Sequence, residues 1–166
     1  MCIRDRILPA DEWRNGEHGV ILEITERLSE PAEPRATLTL PFELRQKSRL
    51  RTRLDDGREA GLFLPRGLVL RAGDLLRASN GLIVQVNATL EDVSTARADD
   101  PLLLARAAYH LGNRHVPLQI GAGWLRYRHD HVLDALAREL GLTVTGEQAP
   151  FEPEAGVYGG GHRHEH

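Results

Sequence analysis

The sequence predicts an α+β protein in two parts, a run of short strands followed by a unit that alternates strands and helices. Three observations predict it. Between about Val20 and Leu90, brief apolar runs are cut at regular intervals by Pro, Gly and Asp-Gly, with no sustained helical period. After Glu91 the pattern changes to apolar residues at helical spacing, interleaved with strand-like runs. The chain then closes on Gly159-Gly160-Gly161 and a short polar end, a composition that predicts a mobile tail.

Each element has a local signature. Val20–Ile24 is a strand that runs into the Pro31-Ala32-Glu33-Pro34 loop. Ala36–Leu40 alternates apolar with polar residues and stops at Pro41. Ser48–Leu54 meets Asp55-Asp56-Gly57, a strong hairpin signal, and Gly61–Leu64 follows. After the turns at Pro65-Arg66-Gly67 and Ala72-Gly73-Asp74 come Leu75-Leu76, Asn80-Gly81 and Leu82–Val86. This series predicts a small β barrel or sandwich over residues 7–88. Arg45, Lys47, Arg49, Arg51, Arg53 and Arg58 make it locally basic, which reads as a solvated strand face or, more sharply, a docking face for an acidic partner.

In the second part, residues 91–97 form a strand. Asp99-Asp100-Pro101 supplies an N-cap and a proline at the first helical position, and Gly112-Asn113 stops that helix. Val116–Ile120 and Trp124–Arg128 are strands around Gly121-Ala122-Gly123. His129–Leu140 is a helix stopped by Gly141, and Leu142–Thr145 is a last strand. Strand-helix-strand-strand-helix-strand is the ferredoxin-like βαββαβ order, assigned to residues 89–150, with a flexible tail over 151–166.

Composition bounds the function. At 166 residues with 41% hydrophobic and 5% aromatic content, the core must come from Leu, Val, Ile and Ala. Two parts of roughly 80 residues would each be marginal alone, which favours oligomerisation. A net charge of -3 argues against nucleic-acid binding. One cysteine, Cys2, allows no internal disulfide and no thiolate cluster. No apolar run is long enough to span a membrane and the start lacks a signal-peptide core, so the expected location is the cytoplasm. The first six residues fit nothing downstream and read as foreign to the domain. Enzyme signatures are missing: there is no His-Glu-x-x-His, phosphate loop or Gly-x-Ser-x-Gly. Asp130, Asp134 and Glu139 could join a histidine site for hydrolysis, but nothing places a nucleophile beside them.

Histidine carries the chemistry. Four of the eight, His110, His115, His129 and His131, fall between Tyr109 and His131. Neutral imidazole suits nickel, copper, zinc and iron. His110 belongs to the last helical turn, where it can meet free carbonyls, and is not stacked with His115, five residues on; His115, on an irregular segment, reads by itself as a surface residue or a ligand. His129 and His131 flank Asp130; on an extended backbone they project to one side, with a nearby carboxylate to orient an imidazole, or else these residues merely cap a helix. His162, His164 and His166 alternate with Arg163 and Glu165, unlike the uninterrupted histidine of a purification tag. A His-rich end is a metal-binding composition. The pattern points to a borderline transition metal bound through histidine and handed on. A rival reading is an RNA- or peptide-binding ferredoxin-like module, which needs aromatics such as Trp124 and Tyr127 on an open sheet.

Three stretches carry a family resemblance: Tyr109 through Gln119, containing Gly112-Asn113-Arg114-His115; Leu125 through Leu133, containing His129-Asp130-His131; and Pro150 through Tyr158. With Gly61-Leu62-Phe63-Leu64-Pro65-Arg66-Gly67 and Leu70–Asp74, they resemble the UreE family of urease accessory metallochaperones, over most of the chain from about Leu22 to Tyr158. The resemblance implies an N-terminal β domain for partner or peptide docking and a homodimer formed through the ferredoxin-like domain. It implies a nickel donor, not an enzyme, for urease active-site assembly, acting with the urease accessory GTPase and the urease apoprotein. It makes His115 the interface ligand, His129 and His131 a secondary site, and His162, His164 and His166 a short version of the family's His-rich end. Copper binds imidazole more tightly than nickel, and zinc competes too, so the ligands alone do not select nickel.

Overall fold

A computed structural model of the chain describes residues 21–155. Residues 1–20 and 156–166 lie outside the described residues, and with them Cys2 and the tail histidines His162, His164 and His166. The described chain divides between Asn87 and Ala88 into two compact units.

The first unit holds β1 (Leu22–Arg27), β2 (Ala36–Leu40), a short helix α1 (Phe42–Arg45), β3 (Arg49–Arg53), β4 (Glu59–Phe63), β5 (Leu75–Ala78) and β6 (Ile83–Ala88). They form one sheet in the order β2-β6-β5-β1-β4-β3. Only the β1–β4 pair among the registered ladders is parallel. The Asp55-Asp56-Gly57 turn joins β3 to β4 as the sequence predicts, with Gly57 at φ +95, a conformation that costs glycine little. Asp55 then ties the two ends of the sheet together. Its carboxylate accepts from the hydroxyls of Thr37 and Thr39, each at 2.7 Å, and its N–H donates to the Thr37 carbonyl at 3.0 Å. The sheet therefore curls until β2 meets the end of β3, around a core that includes Ile24, Leu38, Leu50, Leu62, Leu76 and Val84.

Arg45 departs from the expected solvated face. It sits in α1, a helix too short to show a period in sequence, and is fully buried. Its Nε donates to the Leu40 carbonyl (3.1 Å) and its Nη1 to the Leu70 carbonyl (3.2 Å). A guanidinium with its donors aimed at carbonyls can be buried, and here it pins the loop after β4. The neighbouring basic residues are partly neutralised where they stand: Arg51 and Arg53 pair with Glu59, and Arg58 with Asp56.

The second unit holds β7 (Leu90–Arg97), α2 (Pro101–Gly112), β8 (Gln119–Gly121), β9 (Trp124–Arg128), α3 (His131–Glu139) and β10 (Thr143–Pro150). Its sheet runs β10-β7-β9-β8, every pair antiparallel, which is the ferredoxin-like arrangement the element order predicts. Ala96, Leu125 and Tyr127 of the sheet pack with Ala107 and Leu111 of α2 and Leu133 and Ala137 of α3. Asp100 caps α2 by accepting from the Leu102 N–H (2.9 Å), with Pro101 at the start. Gly141 at φ +99 ends α3: its N–H meets the Arg138 carbonyl and the Leu142 N–H the Ala137 carbonyl.

Two strands differ from expectation. The strand expected from Val116 narrows to Gln119–Gly121, because Pro117 has no N–H for a ladder. The last strand extends to Pro150, pairing with β7 from Thr143↔Arg97 to Pro150↔Leu90. Gly121 is required for a different reason than its turn neighbours: a Cβ there would overlap the Trp124 ring. Gly121→Ala is expected to displace that ring from under Arg126 and to lower stability by roughly 1–3 kcal/mol. Urea unfolding checks it, and an unchanged midpoint would show that the ring moves freely.

Residues 151–155, expected to open the tail, are held against the sheet. Phe151 and Pro153 are buried, the Glu152 N–H donates to the Gln119 side chain (3.0 Å), and the Glu154 N–H to the Leu118 carbonyl (2.8 Å). Gln119 stands opposite Arg126, on the face of the sheet turned away from Leu125, Tyr127 and the helices. Residues 151–155 thus cross that face from the β10 edge to the β8 edge, where Val93 and Ala149 are also buried. Burying Phe151 there stabilises the segment more than ordering it costs, which composition alone could not show.

On the same face, Glu147 accepts from Thr95 Oγ1 (2.8 Å) and Arg126 Nη2 (2.9 Å). The Thr95 hydrogen bond first, and Arg126 with it, hold the Glu147 carboxyl below the usual range. A carboxyl with a depressed folded value adds stability above its unfolded value, about 4.3, and loses it as pH falls through the lower folded value. Replacing it by Gln should therefore give a shallower loss of stability on acidification below about pH 5. Parallel stability-against-pH curves for Glu147→Gln and the parent would contradict this.

Candidate metal site

His115 stands at the end of α2. The sequence places the helix stop at Gly112-Asn113, but Gly112 is still helical and Asn113 keeps right-handed angles (φ -65, ψ -19). The chain reverses two residues later, at His115, with φ +57. It is the one non-glycine residue with positive φ among the described residues. A side chain there costs roughly 1–2 kcal/mol, which glycine would avoid. The turn is held by Arg114 N–H to the Leu111 carbonyl (3.1 Å) and His115 N–H to the Gly112 carbonyl (3.0 Å). The His115 imidazole is exposed and makes no hydrogen bond or ion pair to the described residues. His110 lies in the last turn of α2, its ring edge-on to exposed Tyr109 at 5.3 Å.

His129 and His131 sit on different local structures. The His129 N–H donates to the Asp92 carbonyl (3.1 Å), continuing from β9, while His131 is the first residue of α3. Asp130 between them is extended (φ -155, ψ 123), as expected, but its carboxylate does not orient an imidazole. It caps α3, accepting from the N–H groups of Val132 (2.8 Å) and Leu133 (3.2 Å), and these bonds hold its carboxyl below the usual range. The carboxylate beside His129 is Asp134, one turn into α3: its Oδ2 lies 3.4 Å from His129 Nδ1, and Ser94 Oγ lies 3.1 Å from the same nitrogen. Tyr127 donates its hydroxyl to Asp134 Oδ1 at 2.8 Å. Burial first, then that hydrogen bond, push the Tyr127 hydroxyl far above its ordinary range.

Asp134 and Ser94 are the residues sequence reasoning missed in this role. The signal available was a carboxylate next to core-facing Leu133. Nothing local says that Ser94, 35 residues before His129, pairs with Tyr127 on the neighbouring strand. Among the described residues, no three His, Cys, Asp or Glu side chains come together as a metal-holding group. His115 is not linked to His129 or His131 by any described contact, and the tail histidines fall outside the described residues.

The RNA-module alternative loses its platform. Tyr127 is buried on the helix side, Trp124 lies under the Arg126 guanidinium at 4.6 Å, and residues 151–155 cross the remaining face. No helix among the described residues is long and apolar enough to cross a membrane.

These features define a class: a two-unit α+β protein that carries exposed histidines at the helix ends and adjoining loops of a ferredoxin-like unit. The comparisons make it specific. The model of the "UreE urease accessory protein, C-terminal domain" matches residues 91–166, and that of the "UreE urease accessory protein, N-terminal domain" matches residues 21–89. The chain belongs to the UreE family of urease accessory proteins. It is 65% identical over 163 residues to the urease accessory protein UreE of Alkalilimnicola ehrlichii, covering 88% of this chain and 100% of that protein. Relatives of the same name in Pseudomonas putida (strain W619) and Proteus mirabilis are 60% and 58% identical, over 83% and 80% of this chain and 86% and 83% of their own lengths.

Proposed function

We propose that this urease accessory protein is a nickel metallochaperone, taking up nickel at His115 and releasing it for assembly of the urease active site. The observation that carries the reading is His115 itself, an exposed imidazole with no partner among the described residues, held in a backbone conformation that penalises any side chain. One imidazole cannot hold an ion tightly, but a two-fold axis beside it doubles the ligands. The five large apolar side chains exposed among the described residues, Leu90, Leu102, Tyr109, Ile120 and Val132, all lie in the second unit. Their placement supports a homodimer formed through that unit. Leu102 and Tyr109 are two turns apart on α2, whose end leads into His115.

In this reading His129 and His131 form a secondary site, and His162, His164 and His166 add weak, exchangeable capture. Few protein ligands and open positions permit transfer to the urease accessory GTPase and the urease apoprotein, in the cytoplasm, without any catalysed reaction. Copper and zinc fit the same imidazoles, so the partner complex decides delivery. The first unit, expected over residues 7–88, serves docking. Equilibrium dialysis with nickel, on the parent and on His115→Ala, His129→Ala and His131→Ala, tests the proposal. Equal losses at all three positions, or none, would sink the assignment of His115.

A further inference from the structure

We propose that Asp134, Ser94 and Tyr127 are a positioning set that fixes the proton of neutral His129 on Nδ1 and presents Nε2 to a divalent transition metal. The inference rests on the reading of His129 as a ligand and deepens it, by naming the atom that binds and the residues that select it.

The geometry specifies the donors. Among the described residues, both polar neighbours of the His129 ring, Ser94 Oγ at 3.1 Å and Asp134 Oδ2 at 3.4 Å, lie at the same nitrogen, Nδ1. A carboxylate is acceptor only, so the contact is attractive when Nδ1 carries the proton. The rest of the network agrees. Tyr127 donates to the other oxygen of Asp134 at 2.8 Å, which leaves Oδ2 to accept from the ring. With Tyr127 donating to Asp134 Oδ1, the acceptors at the Nδ1 edge of the ring are Asp134 Oδ2 and the Ser94 oxygen. Each group has one consistent role.

Rigidity follows from burial. Asp134 is 6% exposed, and Ser94 and Tyr127 are fully buried on three different elements, α3, β7 and β9. The His129 side chain is 55% exposed. Its Nδ1 edge is thus tied to a fixed polar cluster and its Nε2 edge is left to solvent. A carboxylate behind an imidazole both sets the tautomer and raises the basicity of the ligating nitrogen.

Long-range proton–nitrogen spectra of the full chain without metal test this, with His129→Ala assigning the signal. The expected result is the Nδ1–H tautomer for neutral His129, against the Nε2–H form that free histidine side chains favour. Asp134→Asn sharpens the test. If the amide carbonyl takes the Tyr127 hydroxyl, the amide NH2 faces Nδ1 and moves the proton to Nε2, closing the ligand position. That variant should show the switched tautomer, and the nickel-binding step that His129→Ala abolishes should weaken about 10- to 100-fold. A wild-type His129 with Nε2–H as its main neutral form overturns the proposal, and that reading needs no variant to fold. The expected tautomers, with nickel binding unchanged in both His129→Ala and Asp134→Asn, would instead overturn the reading of His129 as a ligand.

Discussion

Replacing His115 by Ala is expected to weaken the tightest nickel binding by roughly a hundredfold or more, since a two-fold site loses two imidazoles to one substitution. His129→Ala and His131→Ala, outside that site, should each cost less. His115→Gly separates function from structure. At φ +57 a side chain is a backbone liability, so glycine should raise stability by up to about 1 kcal/mol while binding falls as it does for alanine. Dialysis against nickel, paired with urea unfolding of the parent and all four variants, reads both quantities. If His115→Gly lost stability together with binding, the histidine would be a structural turn residue and its assignment as the ligand would fail.

The second large effect is on stability. Phe151→Ala removes a fully buried ring from the face of the sheet opposite the helices, and a loss of about 3–5 kcal/mol is expected. The ring anchors the segment whose Glu152 and Glu154 N–H groups bind Gln119 and Leu118. The amides of Glu152 and Glu154 should therefore lose hydrogen-exchange protection before those of β7 and β9. Leu118 is three residues from His115, so releasing the segment should also loosen the β8 edge that follows the His115 turn. A truncation after Pro150 should reproduce the stability loss. A truncated chain as stable as the parent would mean that the crossing segment contributes nothing and that the tail starts at residue 151.

By itself the sequence determined what depends on neighbours along the chain. The Asp55-Asp56-Gly57 hairpin, the Asp100-Pro101 helix start, the Gly141 stop and the order of elements in the second unit all follow from local backbone preferences and hydrophobic period. The His115 segment and the His-Asp-His segment were visible for the same reason, as residues close in sequence. Tertiary structure decided what depends on residues far apart. Arg45 is buried because carbonyls at Leu40 and Leu70 converge on it, and Phe151 is buried because the sheet offers it a face. The reversal falls at His115 rather than Gly112 because Leu111, fully buried in the core, keeps the helix intact to Gly112. Asp134 rather than Asp130 meets His129 for a similar reason. The helix start consumes the nearer carboxylate as a cap, and only the folded sheet brings Ser94, Tyr127 and the first turn of α3 to one imidazole. A carboxylate serves whichever donors reach it first, and that competition is settled in space, not along the chain.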